Sequence, residues 1–296
     1  MNPVIMHINY AEGPEVQMEA QTIDRTCAMA AELGFDGIEF RGAIPAGFGS
    51  DDFAAYAKCI SAAKERHGVK QILFGIGTPA CSDPDAVVRK ASIAQSIEKA
   101  RIALEICGST VHNAYAVGIP PVSKDADPRA FELCGSGAIS DEQWKLTVDS
   151  FQQLGAGLEP LGVVFALETH MRYVHDTPQA TKRFVDEVAS PAIGINMDYG
   201  NTVYFLEYPS VQETIDLYGD RLYYTHLKNS QGAVGLRNRF PTGLGEGQIN
   251  HRVYLKKLME VGFNGPIGIE APRSGDKVYF AEQDIAYYRA VMDAIR

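Results

Sequence analysis

Short apolar runs alternate with amphipathic stretches along almost the whole chain. The runs are "VIMHI" (4–8), "GIEF" (37–40), "QILFGI" (71–76), "STVHNAY" (109–115), "VVFALE" (163–168), "IGINMD" (193–198), "LYYTHL" (222–227) and "PIGIE" (266–270). Their length and their β-branched and aromatic content predict eight strands. Between them, apolar residues recur every three to four positions, for instance over 17–33, 52–67, 84–107, 140–159, 178–189 and 250–261. That period predicts helices. Strands alternating with helices imply parallel pairing through right-handed crossovers. Eight such units predict an α/β fold, a (β/α)8 barrel forming a single domain over residues 1–296. An open doubly wound sheet would usually carry a Gly-rich phosphate turn after its first strand. Here that strand is followed by "NYAEGPE".

Local punctuation agrees. "AELGFDGIE" (31–39) is echoed by "MEVGFNGPIGIE" (259–270). Each reads as a helix end, a Gly stop in the left-handed conformation, and a strand that ends on Glu. Thr177 precedes Pro178 as N-cap and first helical residue, and Asn250 is expected to cap the helix that follows it. The stretch 118–143, "GIPPVSKDADPRAFELCGSGAISDEQ", has no clean period. It follows the fourth strand, on the face where barrel active sites lie, and reads as a lid or a homo-oligomer contact. Residues 229–249 form a second insertion.

Composition narrows the partners. The net charge is −10, which disfavours nucleic acid and anionic membrane surfaces, since both attract basic patches. No run approaches the roughly 18 consecutive apolar residues of a membrane span. The N-terminus has no charged stretch leading into a long apolar run. Cys27, Cys59, Cys81, Cys107 and Cys134 are odd in number and contain no Cys-x-x-Cys pair. They read as reduced thiols in a cytoplasmic protein.

The chemistry gathers at four strand tips. Glu168 ends the fifth strand, Asp198 the sixth and Glu270 the eighth, and His226 stands near the end of the seventh. A barrel unit takes about 30 residues, so consecutive tips at this spacing share the C-terminal face. Three convergent carboxylates repel unless a cation lies among them. Three oxygens and one imidazole suit one divalent ion, Mn2+, Mg2+ or Co2+ first, with Zn2+ also within reach.

At this point the chain resembles a known group. "ALETH" (166–170), "DTPQATKRFVDEVASPAIGINMDYGN" (176–201), "THLKN" (225–229), "GLGEGQIN" (243–250) and "IGIEAP" (267–272) look like the xylose isomerase-like TIM-barrel superfamily. This is the sugar phosphate isomerase/epimerase, AP endonuclease family 2 type. The resemblance spans essentially the whole chain. It implies one Mn2+-like ion held by Glu168, Asp198, His226 and Glu270, with Glu168 and Glu270 as the proton-transfer pair. It implies a small sugar or cyclitol substrate, a ketose or keto-cyclitol, deprotonated next to its carbonyl to give an enediolate. Isomerisation, epimerisation or loss of a β-hydroxyl would follow. An inosose dehydratase-type lyase, a glycoside-lyase subunit and a non-catalytic sugar-binding or accessory barrel are the alternatives. The related endonucleases hold a histidine-rich trinuclear zinc cluster, whereas this acidic chain has seven His. The epimerases usually carry His three residues after the Asp. Here that residue is Asn201, an amide that binds a hydroxyl but exchanges no proton.

Side chains alternate along strands, which supplies further candidates. His170 stands beyond Glu168 and Lys228 beyond His226, both aimed at the substrate as catalytic groups. His7 and Glu39 are expected to touch the substrate from the first two strands. Arg172 and Arg273 follow two of the ligand strands and are candidates for a substrate anion. Arg237 and Arg239 are candidates for a phosphate or carboxylate. The pattern leaves His112 on either face of the fourth strand, and Trp144 reads as helix core.

Overall fold

The computed structural model describes residues 2–12, 18–49, 52–127, 129–232, 239–271 and 273–296. The eight apolar runs form the barrel strands β1 (Val4–His7), β2 (Gly37–Arg41), β3 (Gln71–Gly77), β4 (Val111–Tyr115), β5 (Val164–Glu168), β6 (Ile193–Asp198), β7 (Leu222–Leu227) and β10 (Ile267–Ile269). All pair in parallel and close in the order β1-β10-β7-β6-β5-β4-β3-β2. Around them lie α1 (Ala20–Leu33), α2 (Phe53–His67), α3 (Ala86–Cys107), α4 (Asp141–Leu158), α5 (Pro178–Val188), α6 (Tyr199–Thr202), α7 (Val211–Tyr218), α8 (His251–Glu260) and α9 (Lys277–Ile295). None of these helices is long and apolar enough, over the described residues, to cross a membrane.

The two-residue period of the strands sorts the core. Met6, Ile38, Phe40, Phe74, Phe165, Leu167, Ile193, Ile195, Leu227 and Ile269 pack outward into the main apolar cluster with the helices. Ile5, Leu73, Ala166 and Tyr224 form a small separate cluster. It plugs the barrel below the polar layer that carries the chemistry. His112 belongs to the outer set. It packs against Phe74 and Phe165 and accepts from the Phe74 N–H. Trp144 packs edge-on to Phe184, and its indole N–H donates to Glu187 at 2.6 Å.

The repeated helix–Gly–strand unit is realised twice. Gly34 and Gly262 take φ of 77° and 73°. The next amides, of Phe35 and Phe263, bond back to the carbonyls of Ala30 and Leu258, closing matched helix ends. Thr177 caps α5 through the Ala180 N–H, with Pro178 in the first turn, and Asn250 caps α8. All five cysteines are free.

The 229–249 insertion contains an antiparallel ribbon, β8 (Asn229–Gly232) against β9 (Arg239–Thr242). Its polar residues give no alternation to read. The Asn229 side chain organises it, donating to the carbonyls of Leu244 and Ile249 and accepting from the N–H groups of Ser230 and Ile249. Arg237 lies outside the described residues. The 118–143 segment is pinned to the loops after β5 and β6. Ile119 donates to the Arg172 carbonyl at 2.7 Å, Ser136 N–H to Asp176 at 3.2 Å, and Leu206 N–H to Glu132 at 3.1 Å.

Candidate metal centre

Glu168, Asp198, His226 and Glu270 converge at the C-terminal mouth of the barrel. One ligand atom from each lies within 4.8 Å of all the others. Register produces this convergence: Glu168 pairs with Asn196, Asp198 with His226, and His226 with Gly268, two residues before Glu270. Each carboxylate is anchored from outside the cluster. Glu168 accepts from Asn201 at 3.0 Å, Asn113 at 2.7 Å and Tyr115 at 2.5 Å. Asp198 accepts from the Asn201 amide side chain at 2.9 Å and is paired with Lys228 at 2.7 Å. Glu270 accepts from Asn9 at 2.8 Å and from Lys228 at 3.4 Å.

His226 supplies the test of fit. Its Nε2 lies 2.8 Å from a Glu39 oxygen, and an ionised carboxylate only accepts, so Nε2 donates. Its Nδ1 is buried with no hydrogen-bond partner among the described residues. That atom stands 3.2 Å from Glu270, 3.7 Å from Glu168 and 3.8 Å from Asp198. An orphaned nitrogen facing three carboxylates is a donor set without its acceptor. The four ligand atoms are close enough together that one divalent ion could be held among them. Burial alone would lower the imidazole pKa, but Glu39, Asp198, Glu168 and Glu270 outweigh it and hold it well above the ordinary range. The field that favours a proton there also favours a cation. Lys228 is similar: burial opposes its charge, while Asp198, Glu270 and Glu168 raise its pKa.

A cavity of about 210 Å3 opens above the cluster, lined by His170, Asn201, Tyr204, Lys228, Pro241 and Glu270, among others. A larger cavity of about 680 Å3 lies between α1 and the start of α9. It touches none of the four ligands, so chemistry and not size identifies the site.

The remaining expected residues fall into distinct positions. His170 and Lys228 line the cavity. His7 and Glu39, 2 % and 1 % exposed, lie in the barrel beneath it. His7 Nδ1 accepts from Asn9 N–H. Asn201, expected at a sugar hydroxyl, does border the cavity, but its amide hydrogens go to Glu168, Asp198 and the Thr169 carbonyl. Arg172 has φ of 72° and lies over the Phe131 ring at 5.7 Å, against the 118–143 segment. Arg273 is ion-paired with Asp284 and stacked on Phe280 at 4.2 Å. Arg239 bonds Gln248 and lies near Tyr204.

Asn9, Asn113, Tyr115, Tyr224 and His175 were not anticipated. The first four are polar groups inside the barrel or at its rim. The alternation of "STVHNAY" put Asn113 and Tyr115 on one face, which was a usable signal. His175 accepts from the Ala116 N–H at 3.0 Å, so its other nitrogen donates to the Glu168 carbonyl at 2.7 Å. It ties the ends of β4 and β5 together, and burial lowers its pKa to about 4.

Solved structures of similar architecture are distant in sequence. D-allulose 3-epimerase from Methylomonas sp. in complex with D-allulose is 17% identical, with a TM-score of 0.74 over 98% of this chain and 96% of the other. A xylose isomerase-like TIM barrel protein from Mycobacterium smegmatis in complex with magnesium is 19% identical, with a TM-score of 0.73 over 100% and 98%. A probable 3-DHS dehydratase from Bacillus anthracis is 17% identical, with a TM-score of 0.71 over 98% and 99%. At such identities the likeness establishes the fold alone. No curated protein matches the sequence. The sequence itself carries the closer tie: residues 27–296 match the model of the xylose isomerase-like TIM barrel family, and the chain belongs to that family.

Proposed function

We propose that this protein is a divalent-metal-dependent isomerase or epimerase of a ketose or keto-cyclitol, with Mn2+ the preferred ion and Mg2+, Co2+ or Zn2+ as substitutes. The observation that carries the reading is the orphaned His226 Nδ1 among three anchored carboxylates, beneath a cavity that Glu270, Lys228 and His170 border. When bound, a divalent ion supplies Lewis-acid stabilisation of negative charge developing on substrate oxygens.

The chain's own residues do the rest. Glu168 and Glu270 form the proton-transfer pair. One removes the proton next to the substrate carbonyl, its electron pair moves into an enediolate, and the other returns a proton. The donors on Glu168 and Glu270 hold each carboxylate in one orientation, so little reorganisation accompanies transfer. Lys228 stabilises the enediolate charge, and His170 binds a hydroxyl. Arg172 is the candidate for holding a substrate anion. The names of the structural neighbours, sugar epimerases among them, support a small sugar substrate. The free cysteines accord with a cytoplasmic setting.

A dehydratase is the second reading. Lys228, an ammonium donor beside Glu270 at the cavity, favours it. After Glu270 takes the proton, the enediolate electrons expel the β-hydroxyl, and Lys228 donates the proton that makes it water.

Elemental analysis of the Mn2+-incubated, dialysed protein, beside Asp198→Ala, tests the site. About one ion per chain in the wild type and none in the variant is expected. Keto-sugars and inososes are then incubated in D2O. Deuterium next to the carbonyl in a recovered sugar supports epimerisation or isomerisation, and a near-UV-absorbing enone supports dehydration. No retained metal in the wild type rejects the mechanism and leaves a sugar-binding or accessory barrel.

A further inference from the structure

Glu39 lies on β2, yet it holds a residue of β7, three strands away around the barrel. β1 and β10 stand between them. The reach depends on Gly268, the β10 residue in register with His226. A Cβ at 268 would lie 2.5 Å from the Tyr224 hydroxyl and 2.7 Å from His226 Cδ2. With no side chain there, Tyr224 and His226 cross the gap and both bond Glu39 Oε2, each at 2.8 Å. Asn113 donates to the other oxygen at 2.9 Å. Glu39 thus touches the cluster through His226, and its own oxygens are occupied by protein donors.

We infer that Glu39 is a positioning residue that makes His226 an Nδ1 ligand. The inference rests on the metal-dependent reading above and deepens it. The logic is one of donors and acceptors. A buried carboxylate can only accept, so the hydrogen of the neutral imidazole is confined to Nε2, and the lone pair is left on Nδ1. That lone pair is the atom facing Glu168, Asp198 and Glu270. Glutamine at 39 has the same shape but can turn its NH2 to Nε2. Nε2 then becomes the acceptor, the hydrogen moves to Nδ1, and the ligand atom is blocked. The bond also fixes the ring plane, which the T-shaped contact with Tyr224 at 4.8 Å reinforces.

Two measurements test this. The first is Mn2+ affinity, read from the free-ion EPR signal, for wild type, Glu39→Gln and Tyr224→Phe. Glu39→Gln is expected to weaken binding by about 10- to 100-fold, as loss of a group orienting a metal-bound His does. Tyr224→Phe keeps the carboxylate and should lose less. The second is a long-range 1H–15N spectrum of the Zn2+-loaded, 15N-histidine-labelled wild type. His226 should show a protonated Nε2 and a metal-bound Nδ1. This second readout decides the matter even if Glu39→Gln fails to fold. Equal Mn2+ affinity in Glu39→Gln, or coordination through Nε2, overturns the role of Glu39 while leaving the proposed function intact. A wild type that binds neither ion overturns both.

Discussion

Gly135→Ala probes what the 118–143 segment does. Gly135 has φ of +52°, and an added Cβ would sit 2.0 Å from Asp176 Oδ2 and 2.4 Å from the Tyr173 carbonyl. A non-Gly residue in that conformation costs about 1–2 kcal/mol, and overpacking adds about 1–3 kcal/mol. The turn has an alternative to bearing this strain. It can lift off, giving up the Ser136–Asp176 and Gly135–Ile119 hydrogen bonds, worth about 1 kcal/mol each. Lifting is therefore the cheaper response, and net destabilisation should be near 2 kcal/mol. With about 2.1 cal/mol/K of unfolding entropy per residue, that is a fall in Tm of about 3 °C. Hydrogen exchange is the discriminating assay. The amides of Gly135 and Ser136 should lose protection while those of the barrel strands keep it. Because the segment braces the loop carrying His170 and His175, turnover should fall as well. Unchanged exchange at those two amides, or a loss spread evenly over the barrel, would refute the bracing role.

Other outcomes follow from the same geometry. Lys228→Met removes a positive charge beside Asp198 and Glu270, so Mn2+ should bind at least as tightly while solvent-deuterium incorporation falls; weaker Mn2+ binding would count against the charge argument. His112 and His251 are buried, and burial lowers each pKa to about 4. The unfolded chain binds these protons near pH 6.5 and the native state does not, so stability falls between about pH 6.5 and 4. Replacing either His with Phe should reduce the slope of unfolding free energy against pH by up to about 1.4 kcal/mol per unit within that window; coincident slopes would contradict it. Asp176 acts in the opposite sense, because burial raises its pKa to about 7. Its native state gains a proton as pH falls below 7, so Asp176→Asn should steepen the wild-type acid slope, as urea titrations at pH 7 and pH 5 would reveal.

The chain determined its own architecture to a large extent. Eight apolar runs, the helical periods between them and the Gly34 and Gly262 stops are local signals. Local sterics and burial act on them wherever they occur, so the barrel, the strand ends and the four-residue cluster are legible along the chain. Two-residue periodicity puts Asn113 and Tyr115 on one face of the fourth strand, but leaves open which face that is, and with it the side that His112 takes. What alternation cannot specify is which residues meet across a closed barrel, because that depends on the stagger of strands far apart in sequence. Glu39 and His7 were expected at the substrate and lie beneath the cluster, where Glu39 meets His226 only through the gap at Gly268. Asn201 was expected at a hydroxyl and clamps two carboxylates. The β8–β9 ribbon escaped notice because its pairing is organised by one buried amide, Asn229, not by an apolar face. Hydrophobic pattern is written along the chain. Hydrogen-bond partnership in a buried polar layer exists only once the barrel has closed and water has left it.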